Sequence, residues 1–171
     1  PNPTISGGNI TSNDKGTGSF ISHITDLDPN TKYYVKAYAT NSVGTAYGLE
    51  VNFTTNAIVV PIVTTVEVAS PGLTSAVSGG TITTDGGASV TAKGVCWSTT
   101  ANPTPLLPTK TDEGSGTESF TSNLTGLLPN TTYYYRAYAT NSKGIGYGAE
   151  HPFTTASIVT PSVTTTPVTS P

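Results

Sequence analysis

The chain has 171 residues, with 7 basic and 10 acidic side chains, 18 Gly, 13 Pro, 9 Tyr, no Met and one Cys, for a net charge of −3. That balance excludes the basic stripe a nucleic-acid binder needs, and a single Cys excludes an internal disulfide. The longest apolar runs, such as residues 57–60 ahead of Pro61, fall well short of the roughly 20 residues that cross a bilayer. No membrane segment is expected in these residues, and any targeting signal or anchor is expected outside them.

Residues 1–71 align with residues 101–171 without a gap, and 38 of the 71 pairs are identical. Asn2-Pro3-Thr4 returns as Asn102-Pro103-Thr104, and Phe53-Thr54-Thr55 returns as Phe153-Thr154-Thr155. A period of about 100 residues is that of a self-sufficient domain, whereas stacked solenoid units run to roughly 20 to 50. The expected organisation is the second half of a module over residues 1–56 and a connector over 57–60. A complete module follows over 61–156, and then the connector and first strand of another over 157–171.

The periodicity is two throughout, and no helix is needed. In the complete copy the spacing predicts a first strand at residues 62–65, matched by 162–165, and a second at 74–84, where the Gly79-Gly80 pair marks a bulge. A third is expected at 92–98, after the turn residues Asp85-Gly86-Gly87. Beyond a Pro-rich stretch at 102–108 come strands at 119–124, 133–141 and 147–155. Several short strands punctuated by Gly, Pro and Asn predict an all-β chain of Ig-like sandwiches.

Leu127, Pro129, Thr131, Tyr133, Tyr135, Ala137, Ala139, Asn141 and Gly144 form a pattern that Leu27, Pro29, Thr31, Tyr33, Val35, Ala37, Ala39, Asn41 and Gly44 repeat. It resembles the second half of a fibronectin type III domain. The variant with Val95-Cys96-Trp97-Ser98 and Asn-Pro-Thr is similar to tandem modules of large secreted and surface proteins of the Bacteroidetes. It departs from the animal family in placing its Trp at position 97. The resemblance implies tandem fibronectin type III-like β-sandwiches in an extracellular, cell-surface or secreted setting.

Physically, Tyr133 follows a corner in which a buried ring fills the space between sheets while its hydroxyl bonds nearby backbone. Alternation sends Tyr133, Tyr135, Ala137 and Ala139 inward, with the small Ala pair making room for Trp97. Tyr33, Phe20, Phe120, Leu27, Leu127 and the unpaired Cys96 complete the expected core. The row Tyr134, Arg136 and Tyr138 points outward, as do Tyr34, Lys36 and Tyr38, and forms a candidate contact face for sugars or neighbouring subunits. The plainer reading is cross-strand pairing on a solvated face.

No catalytic, cofactor or metal site is expected. His23 and His151 occupy non-equivalent positions, and no H-x-H, C-x-x-C, G-x-S-x-G or Walker spacing appears. Asp14, Asp112 and Glu113 read as solvated loop residues, and Glu118, at the start of the following strand, falls outside any calcium-loop spacing. Asn9, Asn52, Asn123 and Asn130 open N-x-[ST] sequons, which matter only where the source glycosylates Asn.

A half module leaves Phe20, Ile24, Leu27, Tyr33 and Val35 facing water, at about 1.5 to 3 kcal/mol for each large side chain. This predicts a piece of a longer tandem protein or, less favoured, completion by a strand from another chain. The expected function is a non-catalytic structural or adhesive segment of a bacterial surface fibre. Its expected partners are neighbouring modules or identical chains, and its stiffness follows from short Pro-containing connectors. The alternative is a carbohydrate-binding or spacer module of a secreted polysaccharide-degrading enzyme, which would bring surface glycans in as partners.

Overall fold

The structure is a computed structural model that describes residues 2–167 and 169. Every regular element among them is a β-strand, and the chain divides into two compact units, Pro1–Ile58 and Val59–Pro171. Val168, Ser170 and Pro171 of the expected following module lie outside the described residues.

Unit 1 holds two antiparallel pairs: β1 (Lys32–Val35) with β4 (Val51–Thr54), and β2 (Tyr38–Thr40) with β3 (Thr45–Tyr47). Alternating Tyr, Val and Thr favour this pleated backbone. Asn41 turns the hairpin, its Oδ1 accepting from the Val43 N–H at 2.9 Å and the Gly44 N–H at 3.1 Å. The unit has no second layer among its described residues. Phe20, Val51 and Phe53 are exposed, and the segment around Phe20 is irregular.

Unit 2 is a two-layer sandwich. One sheet runs β5 (Ile62–Val66), β6 (Ser75–Thr84) and β8 (Phe120–Thr125), all antiparallel. In the other, β9 (Thr132–Asn141) pairs with β7 (Ala92–Ser98) along one edge. Along its other edge β9 pairs with β10 (Gly144–Tyr147) and then β11 (His151–Thr154). Residues 109–113 run beside β7: the Trp97 N–H donates to Thr109 O at 3.0 Å, and the Thr111 N–H donates to Val95 O at 2.9 Å. Pro152 has no N–H to give, and it stands on the edge strand β11, where none is needed.

Two clusters fill the space between the sheets. Ala76, Val95, Trp97, Leu124, Leu127, Tyr133, Tyr135 and Phe153 form one, and Val63, Ile82, Val90, Ala137 and Ala139 form the other, with Phe120 packed against both. Each large apolar side chain buried here contributes about 1.5 to 3 kcal/mol. No buried side-chain nitrogen or oxygen among the described residues lacks a hydrogen-bond partner.

Four expectations need correction. Trp97 pairs with Tyr135 across β7 and β9 and packs in the first cluster, so the Ala137 and Ala139 pair does not make its space. That pair instead leaves room for Val63 and for the close approach of Gly80. The Gly79-Gly80 pair is not a bulge either, because the β6–β8 ladder runs through it unbroken. A Cβ on Gly79 would lie 2.1 Å from Phe120 O on the neighbouring strand, and one on Gly80 would lie 2.7 Å from the Phe120 ring and 2.9 Å from Ala137 Cβ, so the close pairing of β6 with β8 requires the first glycine and contact with the facing layer requires the second. The register shift falls between Ile62 and Val63 instead. The last strand is split at residues 148–150, where the Gly148 N–H turns to Ala137 O. Residues 162–165 form no strand and are exposed.

Candidate functional site

The expected contact face is the outer side of the β7–β9–β10 sheet. Alternation does put Tyr134, Arg136 and Tyr138 there, but residues 101–108 fold back over it. Asn102, whose φ of 60° suits the left-handed region that Asn tolerates, turns the loop, and its N–H donates to the Glu150 carboxylate. Pro103 is fully buried, and its carbonyl accepts from Arg136 Nε at 2.8 Å and from Cys96 Sγ at 3.4 Å. The Arg136 guanidinium lies 3.8 Å from the centre of the Tyr147 ring, a cation–π stack. Lys110 Nζ closes the loop on Pro105 O at 2.7 Å.

The face is therefore largely committed to its own loop. Tyr138, expected outward and solvated, is 3% exposed, and its hydroxyl donates to Thr111 O at 2.7 Å. Arg136 is half-buried and occupied by Pro103 and Tyr147. Tyr134 remains half-exposed. Cys96 is buried beneath this loop, on the opposite side of the sheet from Trp97. Sequence reasoning missed the loop because it is held by carbonyl contacts over long separations. The identical Asn2/Asn102 and Glu50/Glu150 pairs were the available signal.

The electrostatics are those of packing. Burial pushes the Cys96 thiol up to about 11, against the opposing pull of Arg136, so it is protonated at neutral pH. Burial, with help from Asp112, pushes Tyr138 up to about 12. Lys93, which sequence reasoning did not single out, is 4% exposed and lies over the Phe120 ring at 5.8 Å, with Nζ donating to Glu118 O at 3.0 Å. Its single charge in an otherwise apolar strand was the visible cue.

Unit 1 repeats the arrangement. The Asn2 N–H donates to Glu50 Oε2 at 2.6 Å, Lys36 Nζ donates to Asn2 Oδ1 at 2.6 Å, and the Tyr38 hydroxyl donates to Thr11 O at 3.0 Å. Tyr34 and Tyr38 are half-buried, with Lys32 Nζ 5.4 Å from the Tyr34 ring. A hollow of about 300 Å³ lies between Asn2, Gly7, Lys32 and Tyr34. In unit 2 Leu107 replaces Gly7, and Ser98 of β7 pairs against Tyr134.

The other sequence candidates stay apart. His23 is exposed. His151 Nδ1 lies 3.8 Å from Glu67 Oε1 and packs beside Tyr135, while Asp112 Oδ1 accepts from the Gly114 N–H at 3.0 Å as an ordinary turn. Among the described residues no group of three His, Cys, Asp or Glu side chains could hold a metal ion, and no helix is long and apolar enough to cross a membrane.

No family model matches the chain, and no curated protein matches it. Solved structures do. The chain is similar to chicken CNTN1 domains FN1–FN3 at 21% identity and a TM-score of 0.46, covering 77% of this chain and 45% of that one. It is similar to rat CD45 extracellular domains d3–d4 at 17% identity and a TM-score of 0.44, covering 86% and 82%. A human fibronectin type III domain gives 18% identity and a TM-score of 0.37, covering 58% and 90%. The chain thus spans less than half of the CNTN1 fragment. The fold of unit 2 is read from its own strands: β5–β6–β8 packed against β7–β9 with β10 and β11 is the layout of an Ig-like sandwich.

Proposed function

We propose that the chain is a non-catalytic structural or adhesive segment of an extracellular bacterial surface fibre or filament, built of repeated sandwich modules and partnered by neighbouring modules or identical chains. What supports this reading is the kind of chemistry both copies keep: hydrogen bonds that order the backbone. The Tyr33 and Tyr133 hydroxyls accept from the Asp28 and Leu128 N–H groups at 2.8 and 3.0 Å. Thr55 and Thr155 Oγ1 accept from the Thr31 and Thr131 N–H groups at 2.9 and 3.0 Å. The Asn41 and Asn141 turns and the loop bonds to Glu50 and Glu150 recur as well.

The connector supports the same reading. Asn56 O accepts from the Asn30 N–H, and the Val59 N–H donates to Gly86 O, each at home in its own unit. Only Ala57 and Ile58 separate these bonded residues, so the connector is short. A sugar-binding role would rest on Tyr134 alone of the unit 2 row, since Tyr138 and Arg136 are engaged within the unit.

Immunogold electron microscopy of source cells with antibody to unit 2 tests the proposal. Gold along filaments at the cell surface, removed by mild protease shaving of intact cells, is the expected result. Label confined to the cytoplasm would end it.

A further inference from the structure

The two sheets of unit 2 have four outer edges, and three of them are closed. Residues 109–113 cover β7, where the Glu113 N–H donates to Lys93 O at 2.7 Å alongside the Trp97 and Thr111 bonds. The β10–β11 edge is interrupted at 148–150 and carries Pro152. β5 lies close against β10, where Pro61 O leaves no room for a Cβ on Gly146, and the Ala137 N–H donates to Thr65 Oγ1 at 3.0 Å. Prolines, interruptions and covering segments are the means by which sheet edges are kept from pairing with other chains.

The fourth edge, β8, has none of these. Phe120-Thr121-Ser122-Asn123-Leu124-Thr125 holds no Pro, Gly or charged residue, and its ladder with β6 runs unbroken. Antiparallel pairing engages the N–H and C=O groups of alternate residues, so half of β8 turns its backbone groups away from β6. Among the described residues no backbone hydrogen bond joins β8 to any other segment. Thr121, Asn123 and Thr125 are exposed on the outer face, as are Val66, Val77 and Thr81 on the strands beside them, and none of these side chains is charged.

We infer that β8 is a docking edge for the β8 strand of a second copy of this chain, the two running antiparallel about a two-fold axis at Asn123. Such a contact sets Asn123 against Asn123 and Thr121 against Thr125 on the outer face, where amide and hydroxyl pairs favour antiparallel neighbours. An edge without charge meets its own copy with no like-charge repulsion, whereas a strongly charged peptide finds no complement on it. The contact is isologous, so it closes as a dimer and joins two three-stranded sheets into one. A strand of 6 residues a side buries less than the roughly 1,200 Å² of a stable complex, so the dimer forms reversibly. Every residue in the contact lies within unit 2, and the inference does not depend on the surface-fibre reading.

Sedimentation velocity of the whole chain from about 1 μM to about 1 mM tests it, with hydrogen exchange read over the same range. The natural chain should pass from monomer to dimer, and the amides of residues 120–125 should exchange more slowly as it does. Asn123→Lys puts two ammonium groups face to face and should weaken the dimer about tenfold or more, while Asn123→Ser should keep it. Thr121→Lys with Thr125→Glu brings opposite charges together on both sides of the axis and should dimerise at least as well as the natural chain; Thr121→Lys with Thr125→Lys should stay monomeric. These positions are exposed, so each variant should keep the natural urea midpoint, which separates loss of the contact from loss of the fold. A natural chain that stays monomeric throughout, a dimer indifferent to Asn123→Lys, equal behaviour of the two double variants, or a dimer that leaves exchange at residues 120–125 unchanged would each overturn the inference.

Discussion

Tyr33 in unit 1 and Tyr133 in unit 2 sit in the same hydrogen-bonded corner and stack on Phe53 and Phe153 at 5.9 and 5.8 Å. Water nevertheless reaches them differently. Phe153 is 8% exposed and Phe53 is 38% exposed, because in unit 2 the sheet of β5, β6 and β8 lies over the aromatic pair and the described residues of unit 1 form no second sheet. Local chemistry therefore sets the shape of the corner in both, while burial differs between them. A two-stranded ribbon without a second layer is marginally stable at best, so the unit 2 sandwich should carry nearly all of the chain's resistance to unfolding.

Matched substitutions sharpen that contrast. Phe153→Ala should remove about 3 to 5 kcal/mol from unit 2, whereas Phe53→Ala should shift the main urea transition by less than about 0.5 kcal/mol. Circular dichroism in urea measures both, and equal losses would break the comparison. Asn141→Ala should cost about 2 kcal/mol, because it leaves Val59 O and Asp85 O without the donor that each now has. Asn41 serves only its own turn, and its loss should scarcely register in the same transition. Tyr133→Phe keeps the ring and deletes one bond to the Leu128 N–H, for a loss of about 1 kcal/mol; Tyr33→Phe should leave the transition in place.

Alkali tests the buried outer face. In the folded state Cys96 is raised from 9.0 to about 11 and Tyr138 from 10.0 to about 12. The unfolded chain loses these protons first, so the stability tied to them is fully present below pH 9 and declines as pH rises from about 9 to 12. The urea midpoint of unit 2 should fall across that window. In Cys96→Ala the fall should be shallower between pH 9 and 11, and an unchanged slope would remove the thiol from the account.

The sequence made the strands legible because their information is local: alternating Tyr, Val and Thr set the pleat, and Asn and Gly set the turns. The corner was legible for the same reason, since Pro129, Thr131 and Tyr133 act within five residues of one another. What escaped was contact between distant segments. Nothing near Gly79 says that Phe120 will lie against it, nothing near Trp97 says that register sets it opposite Tyr135, nothing near Arg136 says that Pro103 will close over it, and nothing near Tyr138 says that Thr111 will take its hydroxyl. The candidate contact face was thus read on the correct side of the sheet with the wrong solvent exposure.

The most direct test is native-state hydrogen exchange of the intact chain, comparing backbone amides of residues 33–39 with those of residues 133–139. The two sets belong to near-identical sequences in the same corner and differ in whether a second sheet covers them. Protection in unit 2 should exceed that in unit 1 by about a thousandfold or more, the margin expected between global unfolding and local fraying. Equal protection of the two sets would contradict the claim that the second layer, and not the shared corner, holds the fold.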